Sequence, residues 1–181
     1  MRVIAGTARR TNLVAPKGQA TRPTADRIKE NFFNIAASYI KDARVLDLFS
    51  GSGAIGIEAL SRGASAAVFC DTSKEAIQAI QTNISRCRFT EKATVLPMSA
   101  NEAISRLERE GRQFDLIYLD PPYAGEILNE TLATLAKSKL HVLESIVIAE
   151  HDADTPPTVP EGFTIYDSRK YGNTGLTFYV L

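Results

Sequence analysis

The sequence predicts an α/β fold built on an open, mostly parallel β-sheet with helices on both faces. From residue 44 onward, short β-rich runs alternate with segments of helical period, the pattern of successive strand–helix units. The run at residues 116–119 has no polar alternation, as expected of a central strand covered on both faces. At 181 residues the chain fits one domain, or one domain with a small appendage, and can bury a core of its own.

The first three strand–helix units are marked by apolar runs and by helix start and stop signals. Strands are predicted at residues 45–48, 67–70 and 94–96. A helix over residues 53–62 is closed by Gly63. Capping boxes predict the next two helix starts, one from Thr72 to Glu75 and one from Ser99 to Glu102. The apolar faces of these two helices are predicted at Ile77, Ile80 and Ile84, and at Ile104 and Leu107.

The pattern continues after residue 120 with a helix near residues 126–137 and a fifth strand at 145–149. Two further β-rich runs, 163–166 and 176–180, flank a glycine-containing turn and predict an antiparallel hairpin that closes the sheet. Before the sheet, residues 2–5 and 12–14 predict a small β-hairpin. A helix follows from Thr24 to about residue 38, with Ile28, Phe32 and Ile35 on one face. We therefore expect an extension at residues 1–40 and a main domain at 41–181.

Composition excludes several classes of protein and site. No apolar run approaches the ~18 residues of a membrane span, and residues 1–10 contain no apolar signal region, so a cytoplasmic location is expected. Cys70 and Cys87 do not form a Cys-x-x-Cys pair, and His141 and His151 are isolated, which predicts neither a disulfide framework nor a metal site.

The net charge of zero conceals an asymmetry between the two ends of the chain. Residues 1–30 contain seven Lys/Arg and two acids, a net charge of +5, and the remainder carries −5. A basic end on an acidic body is typical of a polyanion-binding surface. A solvated hairpin with no such role explains the charge of this segment equally well.

The tetrapeptide Asp120-Pro121-Pro122-Tyr123 directly follows the fourth predicted strand. A carboxylate and the carbonyl before a proline can accept two hydrogen bonds from an exocyclic amino group. The ring of Tyr123 offers a stacking face for an extruded base. Ordinary turn punctuation explains the same four residues, so the tetrapeptide alone does not decide.

Gly51, Gly53 and Gly56 form a glycine-rich turn between the first strand and its helix, and Asp71 ends the next strand. This spacing matches the dinucleotide fingerprint, in which the acid binds ribose hydroxyls. S-adenosylmethionine satisfies it as well as NAD does. Asp47 favours the former, because a carboxylate at the first strand's end can reach the ammonium of a methionine moiety. With acids at three strand ends, a turn without any ligand is disfavoured.

The run from Asp47 to Gly53, followed by the tetrapeptide at 120–123, resembles the class I S-adenosylmethionine-dependent methyltransferases that act on exocyclic amino groups. The N-terminal stretch and the end of the chain narrow this to the RsmD-type family, the 16S rRNA (guanine(966)-N(2))-methyltransferases. The matching segments include 2–6, 22–24, 26–27, 30–31, 33–34, 171–174 and 176–179. The resemblance covers essentially the whole chain, with the motifs in family order.

The resemblance implies a Rossmann-like class I methyltransferase fold with a seven-stranded sheet, S-adenosyl-L-methionine as cofactor, and 16S rRNA within a small-subunit assembly particle as partner, without membrane or metal. It implies three sets of site residues. The catalytic set is Asp120, Pro121, Pro122 and Tyr123; the cofactor set is Asp47, Ser50, Gly51, Gly53, Asp71, Thr72, Ser99 and Ala100; the RNA set is Arg9, Arg10, Arg22, Thr24, Arg27 and Tyr171. Ser99 departs from the family, since many relatives place Asp or Asn there for the adenine amino group.

Four alternatives to this assignment stay open. A DNA adenine-N6 methyltransferase shares the tetrapeptide but usually needs a target-recognition domain. A protein glutamine methyltransferase more typically begins the motif with Asn. An NAD-dependent dehydrogenase leaves Asp47 and Asp120 unexplained, and a catalytically silent RNA-binding module leaves the intact motif set unexplained. Methylation at pyrimidine C5 would require a cysteine nucleophile, and residues 120–123 contain none.

Overall fold

The computed structural model describes residues 1–16, 23–122 and 125–181, and for residues 23–27 it describes the backbone alone. Five α-helices lie within these ranges, and two short 3₁₀ turns follow α1 and α3. The helices are α1 (Pro23–Ile35), α2 (Ala54–Ser61), α3 (Lys74–Cys87), α4 (Ala100–Arg109) and α5 (Glu126–Lys137), and the 3₁₀ turns are Ala37–Tyr39 and Thr90–Lys92.

Seven strands form one sheet in the order β3-β2-β1-β4-β5-β7-β6. The strands are β1 (Arg44–Leu48), β2 (Ala66–Asp71), β3 (Ala93–Pro97), β4 (Phe114–Leu119), β5 (His141–Asp152), β6 (Thr164–Tyr171) and β7 (Thr174–Val180). The first five are parallel, and β7 is antiparallel to both β5 and β6. The predicted mostly parallel sheet with a C-terminal antiparallel hairpin is confirmed.

Each face of the sheet is covered by its own apolar cluster, because successive residues of a strand point to opposite faces. Val45 and Tyr118 belong to the cluster packed with α1, α2 and α3. Their neighbours Leu46 and Ile117 belong to the cluster packed with α4 and α5. The central strand β4 thus contributes to both clusters, which explains its lack of polar alternation.

The N-terminal segment is fastened to α2 through Glu58. This side chain is fully buried, and its carboxylate accepts hydrogen bonds from the backbone amides of Ile4 at 2.8 Å and Ala5 at 2.9 Å. It also pairs with Arg62 at 2.8 Å and with the buried Lys29 of α1 at 3.4 Å. One buried carboxylate therefore joins the start of the chain, α1 and α2.

Close backbone approach fixes the same segment further along α2. Gly6 lies at a φ of +81°, and a Cβ built on it would come within 1.7 Å of the Ser61 carbonyl oxygen. The amide of Thr7 donates to that carbonyl at 2.8 Å, and the amide of Ala8 donates to Ser61 Oγ at 2.9 Å. The residues at positions 6–8 therefore lie against the C-terminal end of α2.

Some local predictions at element ends were wrong. Helix α1 begins at Pro23, so Thr24 lies in its first turn, consistent with the preference of proline for the first helical position. Ser73 caps α3 by accepting from the Ala76 amide at 3.3 Å, one residue later than predicted. The N-terminal hairpin is reduced to a single antiparallel bridge between Arg2 and Asn12. The Ser99–Glu102 capping box is confirmed.

We expect Glu58→Ala to lower the free energy of unfolding by about 3–5 kcal/mol, the range for breaking a buried ion pair. The substitution removes the acceptor of two backbone amides and deprives Lys29 of this carboxylate. Urea denaturation measures the loss. The exposed Glu91→Ala is the matched control and should stay within about 0.5 kcal/mol of wild type. A loss below about 1 kcal/mol in Glu58→Ala would show that this carboxylate does not anchor the segment.

Candidate active site

A cavity of about 720 Å³ opens at the carboxyl ends of the parallel strands. Such crevices are where ligands bind in open α/β sheets. Its walls include residues that follow β1, β2, β3 and β4, one residue near the end of β5, and residues from the N-terminal segment and α1. The lining includes Met1, Pro16, Ile28, Lys29, Phe32, Asp47, Phe49, Ser50, Gly51, Asp71, Thr72, Met98, Ser99, Ala100, Asn101, Tyr118, Asp120, Pro121, Pro122 and Glu150.

The floor of the cavity is formed by the end of β1 and the turn into α2. Asp47 is buried, and its Oδ2 accepts a hydrogen bond from the Gly56 amide at 3.2 Å. Ser50 Oγ donates to the Asp47 carbonyl at 2.6 Å and accepts from the Cys70 amide at 2.9 Å. The Ser50 hydroxyl therefore joins the ends of β1 and β2.

Two glycines allow the turn to pass close to β2. Gly53 caps α2 with a left-handed φ of +75°, and it does not line the cavity. At Gly56 a Cβ would lie 2.4 Å from the Phe69 ring, so only glycine fits there without rearrangement. These glycines set the path of the backbone, while Gly51 and Ser50 form the wall.

Asp71, at the end of β2, holds two loops with one carboxylate. Its Oδ2 accepts from the Gly51 amide at 2.8 Å, and its Oδ1 accepts from the Ser73 amide at 2.9 Å. Each carboxylate oxygen has further acceptor capacity, so the group can still bind a ligand hydroxyl in the cavity. The neighbouring Thr72 is exposed and lines the same wall.

The ends of β4 and β5 complete the opposite wall. Asp120, the buried Pro121 and the exposed Pro122 all line the cavity, and Tyr123 lies outside the described residues. Glu150 of β5 lines the same wall, and the Tyr118 hydroxyl donates a hydrogen bond to its Oε2. The sequence analysis did not identify Glu150 or Tyr118 as site residues.

The cavity is strongly acidic, since Asp47, Asp71, Asp120 and Glu150 all line it. Burial raises the pKa of Asp47 to about 7, with a further increase from Asp71 and an opposing effect of the Gly56 amide. Although Asp120 is open to the cavity, protein atoms crowd its carboxyl group. This desolvation, together with Glu150 and Asp47, raises its pKa well above the ordinary value. Burial also raises the pKa of Glu150, despite the bond from Tyr118.

These shifts define the kind of ligand that suits the cavity. Carboxylates that repel one another in a desolvated site are stabilised in their charged form by a cation. Cys70, the one cysteine that lines the cavity, donates its thiol to the Met98 carbonyl at 3.0 Å. Burial raises the pKa of this thiol to about 12, which disfavours a thiolate at Cys70 at neutral pH.

Ser99 is committed to capping α4. Its hydroxyl donates to Glu102 Oε2 at 2.6 Å and accepts from the Glu102 amide at 3.4 Å. Ala100 and Asn101 line the cavity beside it. Asn101 was missed by the sequence analysis, and its amide group offers both donors and acceptors at this wall.

The arginines expected to bind RNA are only partly described. Arg9 and Arg10 are exposed in the turn of the N-terminal hairpin, which packs on the C-terminal end of α2. The cavity lies at the N-terminal end of this eight-residue helix, about 12 Å away along its axis. Arg22 lies outside the described residues, as do the side chains of Thr24 and Arg27. Tyr171 packs on an apolar cluster and does not line the cavity.

Within the described part of the chain, no helix combines the length and apolarity needed to cross a bilayer. Nor do the described residues include a group of three or more His, Cys, Asp or Glu side chains placed to hold a metal ion.

Comparison with known proteins gives consistent matches along the whole chain. The family model described as conserved hypothetical protein 95 matches residues 1–180. Ribosomal RNA small subunit methyltransferase D of Escherichia coli K12 is 32% identical, over 99% of this chain and 89% of that protein. YlbH of Bacillus subtilis strain 168 is 36% identical, over 99% of this chain and 98% of that protein.

Solved structures share this fold. The Escherichia coli structure yhhF is 31% identical, has a TM-score of 0.86, and covers 99% of this chain and 97% of its own. A distant structure, SMU.776, was solved in complex with SAH. It is 13% identical with a TM-score of 0.74 over 89% of this chain and 50% of its own, and it shows the fold alone.

We expect Asp47→Asn to stabilise the protein without ligand above pH 7. The folded-state pKa of Asp47 is about 7 and its ordinary value is 3.8, so ionising it in the folded protein costs free energy that grows between these pH values. The gain should be at most about 4 kcal/mol above pH 7 and should vanish below pH 4. Urea denaturation at several pH values measures it.

Asp115→Asn is the matched control with the opposite sign. Asp115 pairs with Arg44 at 2.9 Å, and that hydrogen-bonded partner lowers its pKa. Its contribution to stability is present at neutral pH and lost on acidification, so removing the charge should slightly destabilise the protein above pH 4. Equal pH dependence in the two variants would contradict the electrostatic account of Asp47.

Proposed function

Because the chain belongs to the RsmD family, we propose that it transfers a methyl group from S-adenosyl-L-methionine to the exocyclic N2 amino group of a guanine in 16S rRNA. The observation that carries the proposal is the acidic cavity, in which Asp47, Asp71 and Asp120 meet beside Pro121. We further propose that the RNA is presented within a small-subunit assembly particle. The same proposal includes a cytoplasmic location.

The cavity suits this cofactor in charge and in the types of polar group. S-adenosylmethionine carries a sulfonium and an ammonium, which fit a site in which Asp47 and Asp120 have raised pKa values. Asp47, Ser50 and Gly51 would hold the methionine end. Asp71 and Thr72 would bind the ribose, and the adenine would lie near Ser99, Ala100 and Asn101.

When bound, the cofactor would supply an electrophilic methyl group. The lone pair of the guanine nitrogen would form the new bond to that carbon, and the electrons of the broken carbon–sulfur bond would remain on sulfur, which leaves a neutral thioether. The guanine amine is a poor nucleophile because its lone pair is delocalised into the ring. Asp120 and the Pro121 carbonyl would accept hydrogen bonds from the two amino hydrogens. These bonds would bend the nitrogen toward tetrahedral geometry, an effect of positioning and electrostatics. The alkylated nitrogen then loses one proton, for which Asp120 is the nearest proposed acceptor.

Mapping the methylated nucleotide tests the proposed reaction. Small-subunit RNA, free and in a partly assembled particle, is incubated with the chain and labelled S-adenosylmethionine. We expect N2-methylguanosine at a single nucleotide. Label on adenine N6, or no transfer to either substrate, would contradict the proposal.

We expect Asp120→Ala to lower the single-turnover rate at least about 100-fold, the effect of losing a group that stabilises the transition state. Its affinity for S-adenosylhomocysteine should fall much less, because the proposed bonds go to the target amine. Calorimetry with S-adenosylhomocysteine checks that the variant still folds and binds. A wild-type single-turnover rate in Asp120→Ala would show that Asp120 does not contribute to methyl transfer.

The exposed Arg9 and Arg10 are proposed to bind RNA phosphates. Replacing each with alanine should flatten the dependence of log affinity on log salt by somewhat less than one unit. Turnover at saturating RNA should not change, because the hairpin turn lies at the far end of α2 from the cavity. The exposed Lys92→Ala serves as the charge-matched control. An unchanged salt slope in a variant with both Arg9 and Arg10 replaced by alanine would show that these arginines do not contact RNA phosphates.

A further inference from the structure

Glu150 stands beside the proposed target site. Leu119 of β4 pairs with Ala149 of β5 in parallel register, so the next residues along the two segments are Asp120, just after β4, and Glu150 of β5. Adjacent strands lie about 4.8 Å apart. Because the sheet order is β2-β1-β4-β5, Glu150 lies on the side of Asp120 that faces away from Asp71 and the glycine turn.

The Glu150 carboxylate is held at one oxygen. The Tyr118 hydroxyl donates to Oε2, and Tyr118 is itself buried with its ring packed 5.4 Å from that of Phe32. Among the described residues, no second hydrogen bond is made to this carboxylate. Its Oε1 therefore has acceptor capacity for a ligand in the cavity that Glu150 lines.

We infer, on the basis of the proposed function, that Glu150 accepts a hydrogen bond from the N1–H group of the target guanine. Glu150 would thereby select guanine over bases whose N1 carries no hydrogen. The Watson–Crick edge of guanine places the N1–H donor beside the N2 amino donors. Asp120 and Glu150 offer two acceptors side by side, which matches this pair of donors. In adenine and 2-aminopurine the N1 lone pair would face the carboxylate instead. A site that accepts a hydrogen bond from a substrate N–H group rejects analogues that lack this group.

A purely structural role for Glu150 makes a different prediction. As a buried partner of Tyr118 alone, Glu150 would affect folding or rate equally for every base presented at the site. As the acceptor of N1–H, it must affect the ratio between two bases. The ratio of rates is therefore the decisive quantity.

The experiment compares RNAs that carry guanine or 2-aminopurine at the mapped nucleotide. Both bases have the amino group, but 2-aminopurine lacks N1–H and O6. Single-turnover rates are measured at saturating cofactor for wild type, Glu150→Gln and Glu126→Gln. Glu126 is an exposed carboxylate at the start of α5 that does not line the cavity, and its substitution serves as the matched control.

We expect wild type and Glu126→Gln to methylate guanine at least tenfold faster than 2-aminopurine. Glu150→Gln should methylate guanine more slowly than wild type. Its ratio of the rate on guanine to the rate on 2-aminopurine should be at least fivefold smaller, because the glutamine amide can donate a hydrogen bond to a bare N1. The missing O6 affects all three enzymes alike, so a change in the ratio reports on residue 150. Affinity for S-adenosylhomocysteine should be unchanged in Glu150→Gln.

Equal rates on the two RNAs in wild type, or an unchanged ratio in Glu150→Gln, would overturn the inference. If thermal denaturation shows that Glu150→Gln is unfolded, Tyr118→Phe replaces it in the comparison. Releasing Oε2 should likewise narrow the preference for guanine, and an unchanged ratio there would also overturn the inference. Failure of the proposed function is distinct, because wild type would then produce no N2-methylguanosine.

Discussion

The desolvation of Asp47 among other carboxylates at one edge of the sheet is the constraint on which the site depends. Parallel strands end at the same edge, so Asp47, Asp71, Asp120 and Glu150 come together without any loop having to reach across the molecule. The fold keeps Asp47 buried in this acidic cavity at a cost in stability, as its raised pKa shows. A cationic ligand offsets that cost, which makes the cavity suitable for the sulfonium cofactor proposed above.

The N-terminal residues belong physically to this site. Glu58 joins the backbone at Ile4 and Ala5 to α1 and α2, and Met1, Ile28 and Phe32 form part of the cavity wall. The segment with the excess of positive charge thus shares its apolar cluster with the sheet. A change that loosens the Glu58 contacts would therefore disturb both the proposed RNA surface and the wall of the cavity.

The sequence predicted the acidic cavity residues near strand ends, because an acid at or just after the end of an apolar run can be recognised in the sequence, as at Asp47, Asp71 and Asp120. Glu150 was missed because β5 continues to Asp152, so no turn residue marks its position. In the sequence Tyr118 is recognisable only as part of an apolar run, whereas its hydroxyl donates a hydrogen bond to Glu150 at the cavity wall. The one-residue shift at the start of α3 arose because Thr72 and Ser73 are both good caps. Long-range pairs such as Lys29–Glu58 need the tertiary structure.

Calorimetric titration with S-adenosylmethionine at pH 5.5 and pH 7.0, in two buffers of different ionisation enthalpy, tests most directly whether the carboxylate cavity holds a cationic methyl donor. Binding a cation lowers the pKa of Asp47 and of Asp120 from their raised values, so protons leave as the ligand enters. The account predicts tighter binding at pH 7.0 and net proton release at pH 5.5. Equal affinity at both pH values without proton release, or binding of NADH in place of S-adenosylmethionine, would contradict it.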